Sequence, residues 1–242
     1  MPKTIQRLKR RTALITGASR GIGLAIARKF AQQGCNLIIT GRDEKSLRHV
    51  SRELLRLKVR VVAVRCDVRD PHSVDALFRS IRREFHRLHI LVNNAGIAHA
   101  NLPVDQLPFP TWKDVFATNV DGTFLVTQAA LRMMSKRATI VNNLSIVATR
   151  VFAGSAAYVA SKHGALGLSN TLREELRPKG IRVIALMPGA TSTEIWNTFW
   201  PDAPRKKMMS PATVATAVVN AILLPPNATV ESLEILPTVG LS

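Results

Sequence analysis

A tyrosine, a lysine and a serine are spaced so that together they could move protons. Tyr158 and Lys162 are separated by one helical turn, and Ser145 precedes them. A free phenol titrates near ~10, so it exchanges protons at neutral pH only where nearby positive charge stabilises its phenolate. In a helix, positions i and i+4 share one face, which would place Lys162 beside the phenol. The pair alone also fits two exposed residues on an ordinary helix, so the surrounding elements decide its meaning.

Apolar, β-branched runs alternate with amphipathic stretches along the chain. Strands are predicted at 12–16, 36–40, 59–65, 89–92, 138–144, 181–187 and 230–236. Helices are predicted at 21–33, 43–56, 71–86, 111–135, 156–177 and 211–224. This alternation is typical of a parallel sheet with helices on both faces. We expect an α/β fold: a single doubly wound Rossmann-type domain over 1–242 with a seven-stranded parallel sheet. Ligands of such sheets bind beyond the carboxyl ends of the strands.

Size and composition are those of a soluble globular protein. The chain has 242 residues, 46% of them hydrophobic, which is enough for a full core. Its longest apolar runs, such as 184–187, fall far short of the roughly 18 residues that cross a bilayer. The basic arm at 1–11 leads directly into the first strand and lacks the pattern of a secretory signal. We therefore expect a cytoplasmic protein without membrane attachment.

The two cysteines and the basic charge bear on possible partners. Cys35 and Cys66 lie in or beside predicted strands, which indicates buried free thiols without a disulfide or a metal site. A net charge of +18 raises the question of nucleic acid or anionic surfaces. However, the basic residues are scattered, and in 77–87 they lie opposite an apolar stripe, as on a solvated face. With 5% aromatic residues, weak adhesion to polyanions is expected, but specific nucleic-acid binding is not.

A glycine-rich turn follows the first predicted strand and opens an amphipathic helix. Glycines at such a place allow a tight turn and let the helix N-terminus approach a pyrophosphate. A turn of this kind could also be a plain connection, but its position between strand and helix favours phosphate binding. The residues expected to contact the cofactor are Gly17, Ser19, Arg20, Gly21, Ile22 and Gly23.

The segment after the second strand, Thr40-Gly41-Arg42, lacks the carboxylate that usually binds the ribose hydroxyls of NAD. Arg20 and Arg42 could instead clamp a 2′-phosphate, which guanidinium groups bind well. Either arginine could also be a solvated surface residue. We therefore expect NADP(H) as the cofactor, with NAD(H) as the alternative.

Two further strand ends carry candidate cofactor contacts. Asp67 could accept a hydrogen bond from the adenine amino group, and Val68 could pack on the ring. After the fourth strand, the small residues of Asn93-Asn94-Ala95-Gly96 let the backbone run close to a cofactor. The same tetrapeptide is also typical of a turn that closes a strand.

Several motifs in order resemble the short-chain dehydrogenase/reductase (SDR) family in its shorter form. The resemblance covers nearly the whole chain, and a set of motifs in the right order is far more specific than any one of them. The residues that carry it are Thr16, Gly17, Gly21, Gly23, Asn93, Asn94, Ala95, Gly96, Asn119, Ser145, Tyr158, Lys162, Pro188 and Gly189.

The resemblance implies a catalytic set. Tyr158 would be the general acid or base. Lys162, assisted by the positive charge of oxidised nicotinamide, would lower the phenol pKa and would also bind the nicotinamide ribose. Ser145 would hydrogen-bond the substrate oxygen, and Asn119 would hold a water in a proton relay. Because all four are present, an active enzyme is expected rather than a noncatalytic relative. Members usually form homotetramers or homodimers through helices that correspond to 111–135 and 156–177.

The resemblance also implies a nicotinamide site and a cover for the substrate. Pro188 and Gly189, with Thr191 and Thr193, are similar to the segment that orients the nicotinamide. The covering segment is expected at about 190–210, where Trp196 or Trp200 would contact the substrate, although aromatic residues on a helix often only pack.

Three functions remain open. The first is an NADP(H)-dependent oxidoreductase that interconverts a small carbonyl compound and its alcohol. The second is a 3-oxoacyl-[acyl-carrier-protein] reductase, because Lys136 and Lys179 match positions that dock the acidic carrier. The ending at 230–238 lacks the Val-Asp-Gly-Gly of many such reductases and looks more like hydroxy-acid and serine dehydrogenases. The third is a cofactor-sensing protein that binds nucleic acid.

Overall fold

The seven predicted strands form one parallel sheet in the computed structural model, which describes residues 7–239. The order in space is β3-β2-β1-β4-β5-β6-β7, so the chain reverses direction across the sheet between β1 and β4. This reversal creates the crevice in which doubly wound sheets bind ligands. The strands are β1 Thr12–Thr16, β2 Asn36–Gly41, β3 Val61–Arg65, β4 Ile90–Asn93, β5 Thr139–Asn143, β6 Arg182–Pro188 and β7 Ser232–Ile235.

Helices connect the strands close to the predicted bounds. They are α1 Gly21–Gln32, α2 Glu44–Leu55, α3 Pro71–Glu84, α4 Phe109–Phe116, α5 Gly122–Leu131, α6 Ala156–Leu176, α7 Trp196–Phe199 and α8 Pro211–Ile222. The stretch predicted as one helix at 111–135 is two helices joined by a π-helical turn, Ala117–Asp121. The short α7 lies inside the predicted covering segment and was not predicted as a helix.

The core has two layers because neighbouring residues of a strand point to opposite faces. On one face, Ile15 and Ile39 pack with Phe30 of α1 and with α2 and α8. On the other, Leu14 and Ile38 pack with α3, α5 and α6. Both sheet faces are therefore dry, as the continuous apolar strands predicted.

The predicted basic arm is partly integrated into the fold. Residues 1–6 lie outside the described part of the chain. Leu8 is 2% exposed and its backbone N–H donates to the Gln33 carbonyl, so the end of the arm packs on the core. Cys35 and Cys66 are buried and free, as predicted. Within residues 7–239, no helix is long and apolar enough to span a bilayer.

Candidate functional site

A cavity of about 900 Å³ runs along the carboxyl edge of the sheet. The loops that follow β1 to β6 line it. One end lies at Arg20 and Arg42, and the other lies at Tyr158, Phe199 and Trp200. The strand ends therefore bring together most of the residues that sequence reasoning selected.

The glycine-rich turn is held in a form that only glycine accommodates well. Gly17 and Gly21 have φ of +61° and +56°, in the left-handed region. A Cβ on Gly23 would overlap Asn94 and the Gly17 carbonyl. Helix α1 begins at Gly21 with no side-chain cap and no acid in its first turn. Its first amides are thus free to bind an anion.

Asn94 ties this turn to the rest of the site. Its Nδ2 donates to the carbonyls of Thr16 and Gly17 at 2.9 and 3.0 Å. Its Oδ1 accepts from Asn143 Nδ2 at 2.8 Å. The side chain therefore joins the ends of β1, β4 and β5, so Asn94 is more than the small turn residue that the sequence indicated.

The arginines predicted to bind a 2′-phosphate lie at one end of the cavity. Arg20 and Arg42 are exposed and have no ion-pair partner within residues 7–239. The carboxylate of the adjacent residue, Asp43, accepts from Lys45 N at 3.1 Å and from the Ser46 hydroxyl, and it thereby caps α2. The hydrogen bond from Ser46 lowers the Asp43 pKa. Asp43 is thus engaged in capping, which favours a positive subsite here.

Asp67 and Val68 also line the cavity. The Asp67 carboxylate is paired with Arg69, whose Nη2 lies 2.7 Å from Oδ2. This pairing, mainly through the hydrogen bond, lowers the Asp67 pKa. Any bond from adenine to this carboxylate, as predicted from sequence, would be shared with Arg69.

Ser145, Tyr158 and Lys162 meet at the other end of the cavity. Tyr158 and Lys162 lie on α6 and are 9% and 6% exposed. Lys162 Nζ lies 5.6 Å from the Tyr158 ring centroid and donates to the Asn143 carbonyl at 3.1 Å. Ser145 Oγ accepts from Val147 N at 3.3 Å, which places the hydroxyl at the start of a 3₁₀ turn.

Burial dominates the ionisation of both groups. It raises the Tyr158 pKa, and hydrogen bonding with Ser145 offsets part of that rise. Burial also lowers the Lys162 pKa from 10.5 to about 8. In the protein without cofactor, burial therefore dominates the phenol pKa, and its lowering by Lys162 together with the charge of oxidised nicotinamide remains a proposal. Further positive charge is needed to make the phenol a good acid.

Asn119 lies in the π-helical turn, as a helix-breaking residue would. Its Nδ2 donates to the Ile97 carbonyl and to Ser161 Oγ, both at 2.9 Å. Its Oδ1 accepts from Ile97 N at 2.9 Å. The side chain thus anchors the loop after β4 to α6, so a role in a water relay remains a proposal.

The nicotinamide and covering segments predicted after β6 both lie against the cavity. Gly189 N donates to the Ile235 carbonyl at 2.7 Å, and Thr191 Oγ1 donates to the Gly189 carbonyl at 3.0 Å. Arg205 Nη1 donates to the Thr193 carbonyl at 2.6 Å, which fixes the far end of the cover. Pro188, Gly189, Thr191 and Thr193 all line the cavity, and their contact with a nicotinamide remains a proposal.

The aromatic residues of the covering segment pack on one another and on Tyr158. The Phe199 ring lies 5.7 Å from Tyr158 and 5.5 Å from Trp196. The Trp196 indole N–H donates to the Thr191 carbonyl at 2.8 Å, whereas Trp200 is 48% exposed at the rim. Sequence reasoning assigned substrate contact to the two tryptophans, whereas the ring of this segment that packs on Tyr158 is Phe199.

Sequence reasoning missed Phe152 and Ser155, which line the cavity. Ser155 is fully buried, and its hydroxyl has no hydrogen-bond partner among residues 7–239. In the sequence, the feature that could have indicated a role for Ser155 is its position three residues before Tyr158. A buried hydroxyl without a partner is costly, so a bound molecule could satisfy it.

Burial of Lys162 gives a stability prediction. Burial makes the charged form of Lys162 less favourable in the folded protein than in the unfolded chain, so the unfolded chain binds more protons between pH 8 and 10.5. Stability should therefore rise across this window. Below pH 8, keeping Lys162 charged in the folded state lowers the free energy of unfolding by about 3 kcal/mol. This figure follows from the difference between its ordinary pKa of 10.5 and its folded-state pKa of about 8. We expect Lys162→Met to raise the free energy of unfolding at pH 7 and to abolish this pH dependence. Urea titrations from pH 7 to 10.5 measure both effects, and a destabilised variant at pH 7 would contradict the prediction.

Comparison with known proteins agrees with this geometry. The "short chain dehydrogenase" family profile matches residues 11–204. Sulfoacetaldehyde reductase 2 of Chromohalobacter salexigens is 35% identical, with 93% of each chain covered. An alcohol dehydrogenase from Thermococcus sibiricus, complexed with 5-hydroxy-NADP, is 28% identical with a TM-score of 0.88, over 94% of this chain and 97% of that one. A 3-ketoacyl-(acyl-carrier-protein) reductase from Brucella melitensis, complexed with NADH, is 28% identical with a TM-score of 0.86, over 96% and 98%. The chain therefore belongs to the short-chain dehydrogenase/reductase family and is an oxidoreductase of its Rossmann-type fold.

Proposed function

We propose that this protein is an NADP(H)-dependent oxidoreductase that interconverts a carbonyl compound and its alcohol. The observation that carries the proposal is one continuous cavity with an uncapped helix N-terminus at one end and Ser145, Tyr158 and Lys162 at the other. A bound dinucleotide would supply or accept the hydride. Tyr158 protonates the carbonyl oxygen during reduction, while the Ser145 hydroxyl stabilises the charge that grows there. Lys162 holds positive charge next to the phenol and binds the nicotinamide ribose.

Two observations support the phosphorylated cofactor. Arg20 and Arg42 lie at the end of the cavity without an ion-pair partner among residues 7–239, and Asp43 is engaged in capping α2. The solved relatives were complexed with an NADP derivative in one case and with NADH in another, so the fold serves both. The local charge therefore decides our choice of NADP(H).

We further infer that the substrate is a neutral carbonyl compound with an apolar or aromatic body. Among the described residues that line the cavity, the cations are Arg20 and Arg42 at the far end and Lys162. Phe152, Phe199 and Trp200 supply the wall near Tyr158. A substrate carboxylate or sulfonate would lack a dedicated cation there and would lose hydration without compensation. This chain thus differs in preference from its sulfoacetaldehyde-reducing relative and from the hydroxy-acid dehydrogenases that its ending resembles.

Paired substrates test the activity and the preference separately. We expect NADPH oxidation with benzaldehyde at a kcat/KM at least about tenfold above that with 4-carboxybenzaldehyde. The carboxylate of the second aldehyde would find no dedicated cation in the cavity near Tyr158. Phe199→Ala should raise KM for benzaldehyde by removing the ring that covers Tyr158. Equal rates for the two aldehydes would contradict the preference for neutral substrates but not the proposed oxidoreductase activity. No turnover with a wider panel of ketones, aldehydes, hydroxy acids and sugars would contradict the oxidoreductase proposal.

The proposed assembly is a homodimer or homotetramer formed by α4, α5 and α6. Phe109 and Phe124 on the first two helices are 69% and 46% exposed, and such apolar side chains are typical of subunit contacts. Light scattering of the purified protein measures the assembly. We retain a cytoplasmic location as part of the same proposal.

Reduction of a 3-oxoacyl group linked to acyl carrier protein is the second candidate. Its two proposed docking lysines are close together, because the Lys136 side chain lies against Gly180, the residue that follows Lys179. Both lysines precede their strands, β5 and β6, whereas Ser145 follows β5. A carrier docked there would face away from the cavity of the same subunit, so this function requires a neighbouring subunit. If it is correct, activity on a carrier-linked substrate should fall with salt much more steeply than activity on its small thioester analogue.

A further inference from the structure

Positive charge is concentrated on one edge of the sheet, contrary to the scattered distribution that the sequence suggested. We call this the amino edge: the described turns that precede the strands, 7–11, 33–35, 56–60, 85–89, 132–138, 177–181 and 223–231. Glu231 is the single acid in these turns. Their lysines and arginines are Arg7, Lys9, Arg10, Arg11, Arg56, Lys58, Arg60, Arg87, Arg132, Lys136, Arg137, Arg177 and Lys179.

At the opposite, carboxyl edge, basic and acidic residues are nearly equal in number, although the chain as a whole is strongly basic. Its loops are 17–20, 42–43, 66–70, 94–108, 144–155 and 189–210. Their basic residues are Arg20, Arg42, Arg69, Arg150, Arg205, Lys206 and Lys207, and their acids are Asp43, Asp67, Asp70, Asp105, Glu194 and Asp202. The asymmetry between the edges is therefore not a simple consequence of composition.

Ion pairs neutralise little of the amino edge. Arg60 pairs with Glu84 on α3. Arg177 pairs with Glu174 and Glu231. The other basic residues of the edge have no ion-pair partner within residues 7–239. The positive charges of these residues are therefore not compensated by acidic side chains among residues 7–239.

The backbone provides an independent observation. Arg10, Lys58 and Arg137 have φ of 66°, 59° and 70° and are the non-glycine residues in the left-handed region over residues 7–239. All three lie on the amino edge. The corresponding turns into β2 and β6 place Gly34 and Gly180 in this conformation. Side chains other than glycine destabilise such positions. Three turns therefore carry a charge where glycine would be the more stable choice.

We propose that the amino edge binds the surface of an anionic phospholipid bilayer. The ends of seven parallel strands span about 30 Å at the usual strand spacing, which offers a broad face to a planar array of phosphates. Each lysine or arginine near such a surface adds attraction, and guanidinium groups bind phosphate in a forked geometry.

Apolar residues on the same edge favour lipid over nucleic acid. Leu55, the last residue of α2, and Leu224, in the turn that follows α8, are 48% and 37% exposed and could enter the interface. Phe85 is the one phenylalanine, tyrosine or tryptophan of the described edge turns, and at 8% exposure it offers no open ring on which bases could stack. The catalytic cavity lies at the other edge and would stay open to dissolved substrate. This proposal differs from the sequence-based expectation of no membrane partner.

Vesicle cosedimentation tests the proposal with the full chain. Vesicles of phosphatidylcholine alone are compared with vesicles that contain about 30% phosphatidylglycerol, at roughly physiological salt. We expect binding to the anionic vesicles only. The variant Arg10→Gly, Lys58→Gly, Arg137→Gly should bind them at least about tenfold more weakly, from three lost surface charges. Its thermal midpoint should be unchanged or higher, because glycine suits these turns.

A matched variant, Lys45→Gln, Arg79→Gln, Lys113→Gln, loses the same charge outside the edge and should bind nearly as well as the wild type. Equal binding of the wild type to both vesicle types, or an unchanged affinity of the glycine variant, would overturn the proposal. Tighter binding to a duplex DNA probe than to anionic vesicles would assign the edge to nucleic acid instead. Turnover of a soluble aldehyde, measured in parallel, should not change in either variant, so this test is independent of the proposed reaction.

Discussion

Replacing Tyr158 by phenylalanine is expected to lower kcat by about 10²–10⁴-fold and to leave the dinucleotide Kd nearly unchanged. The phenylalanine ring can keep the contact that Tyr158 makes with Phe199 at 5.7 Å, so the cover should stay in place. What is lost is the hydroxyl that exchanges the proton. Single-turnover reduction measures the rate, and fluorescence titration measures the affinity. An unchanged rate would show that another group supplies the proton.

The same residue can be titrated directly, because Tyr158 is the only tyrosine in the chain. Ultraviolet absorbance should place the phenol midpoint above the ordinary tyrosine value in the free protein, since burial raises its pKa. Addition of oxidised dinucleotide should move the midpoint down, because it brings positive charge to the site. The Tyr158→Phe variant supplies the baseline. A midpoint that does not respond to the dinucleotide would contradict the proposed role of the tyrosine.

The second large effect is expected at the other end of the cavity. Changing both Arg20 and Arg42 to alanine should raise the Kd of NADPH by about 10²-fold, because two charge-assisted hydrogen bonds to phosphate are lost. The Kd of NADH should change little, since that cofactor has no 2′-phosphate. Trp196 and Trp200 line the cavity and can report binding by fluorescence.

Arg48→Ala is a suitable control for the double variant. Arg48 lies on nearby α2 but pairs with Glu44 and does not line the cavity, so both affinities should stay near the wild-type values. An equal loss of NADPH and NADH affinity in the double variant would mean that the arginines support the fold or the pyrophosphate site. Tighter binding of NADH by the wild type would contradict the cofactor preference.

Local patterns were sufficient to predict the sheet and the main motifs. Continuous apolar strands alternate with amphipathic helices, and this pattern depends only on residues near in sequence. The glycine turn at 17–23 and the one-turn spacing of Tyr158 and Lys162 are equally local. The single helix predicted at 111–135 was wrong because nothing in its periodicity reports the π-helical turn, which Asn119 stabilises through contacts with Ile97 and Ser161.

Other features depend on segments that are distant in sequence and meet only in the folded chain. Asn94 joins three strand ends, Phe199 covers Tyr158, and burial sets the pKa of Lys162. The amino edge is the clearest example, because its charges come from turns separated by whole strand and helix units. The sequence by itself determined which residues could do chemistry and that the strands would be parallel. Only the tertiary structure decided which charges and rings would share a surface, since parallel strands gather all their starts at one edge and all their ends at the other.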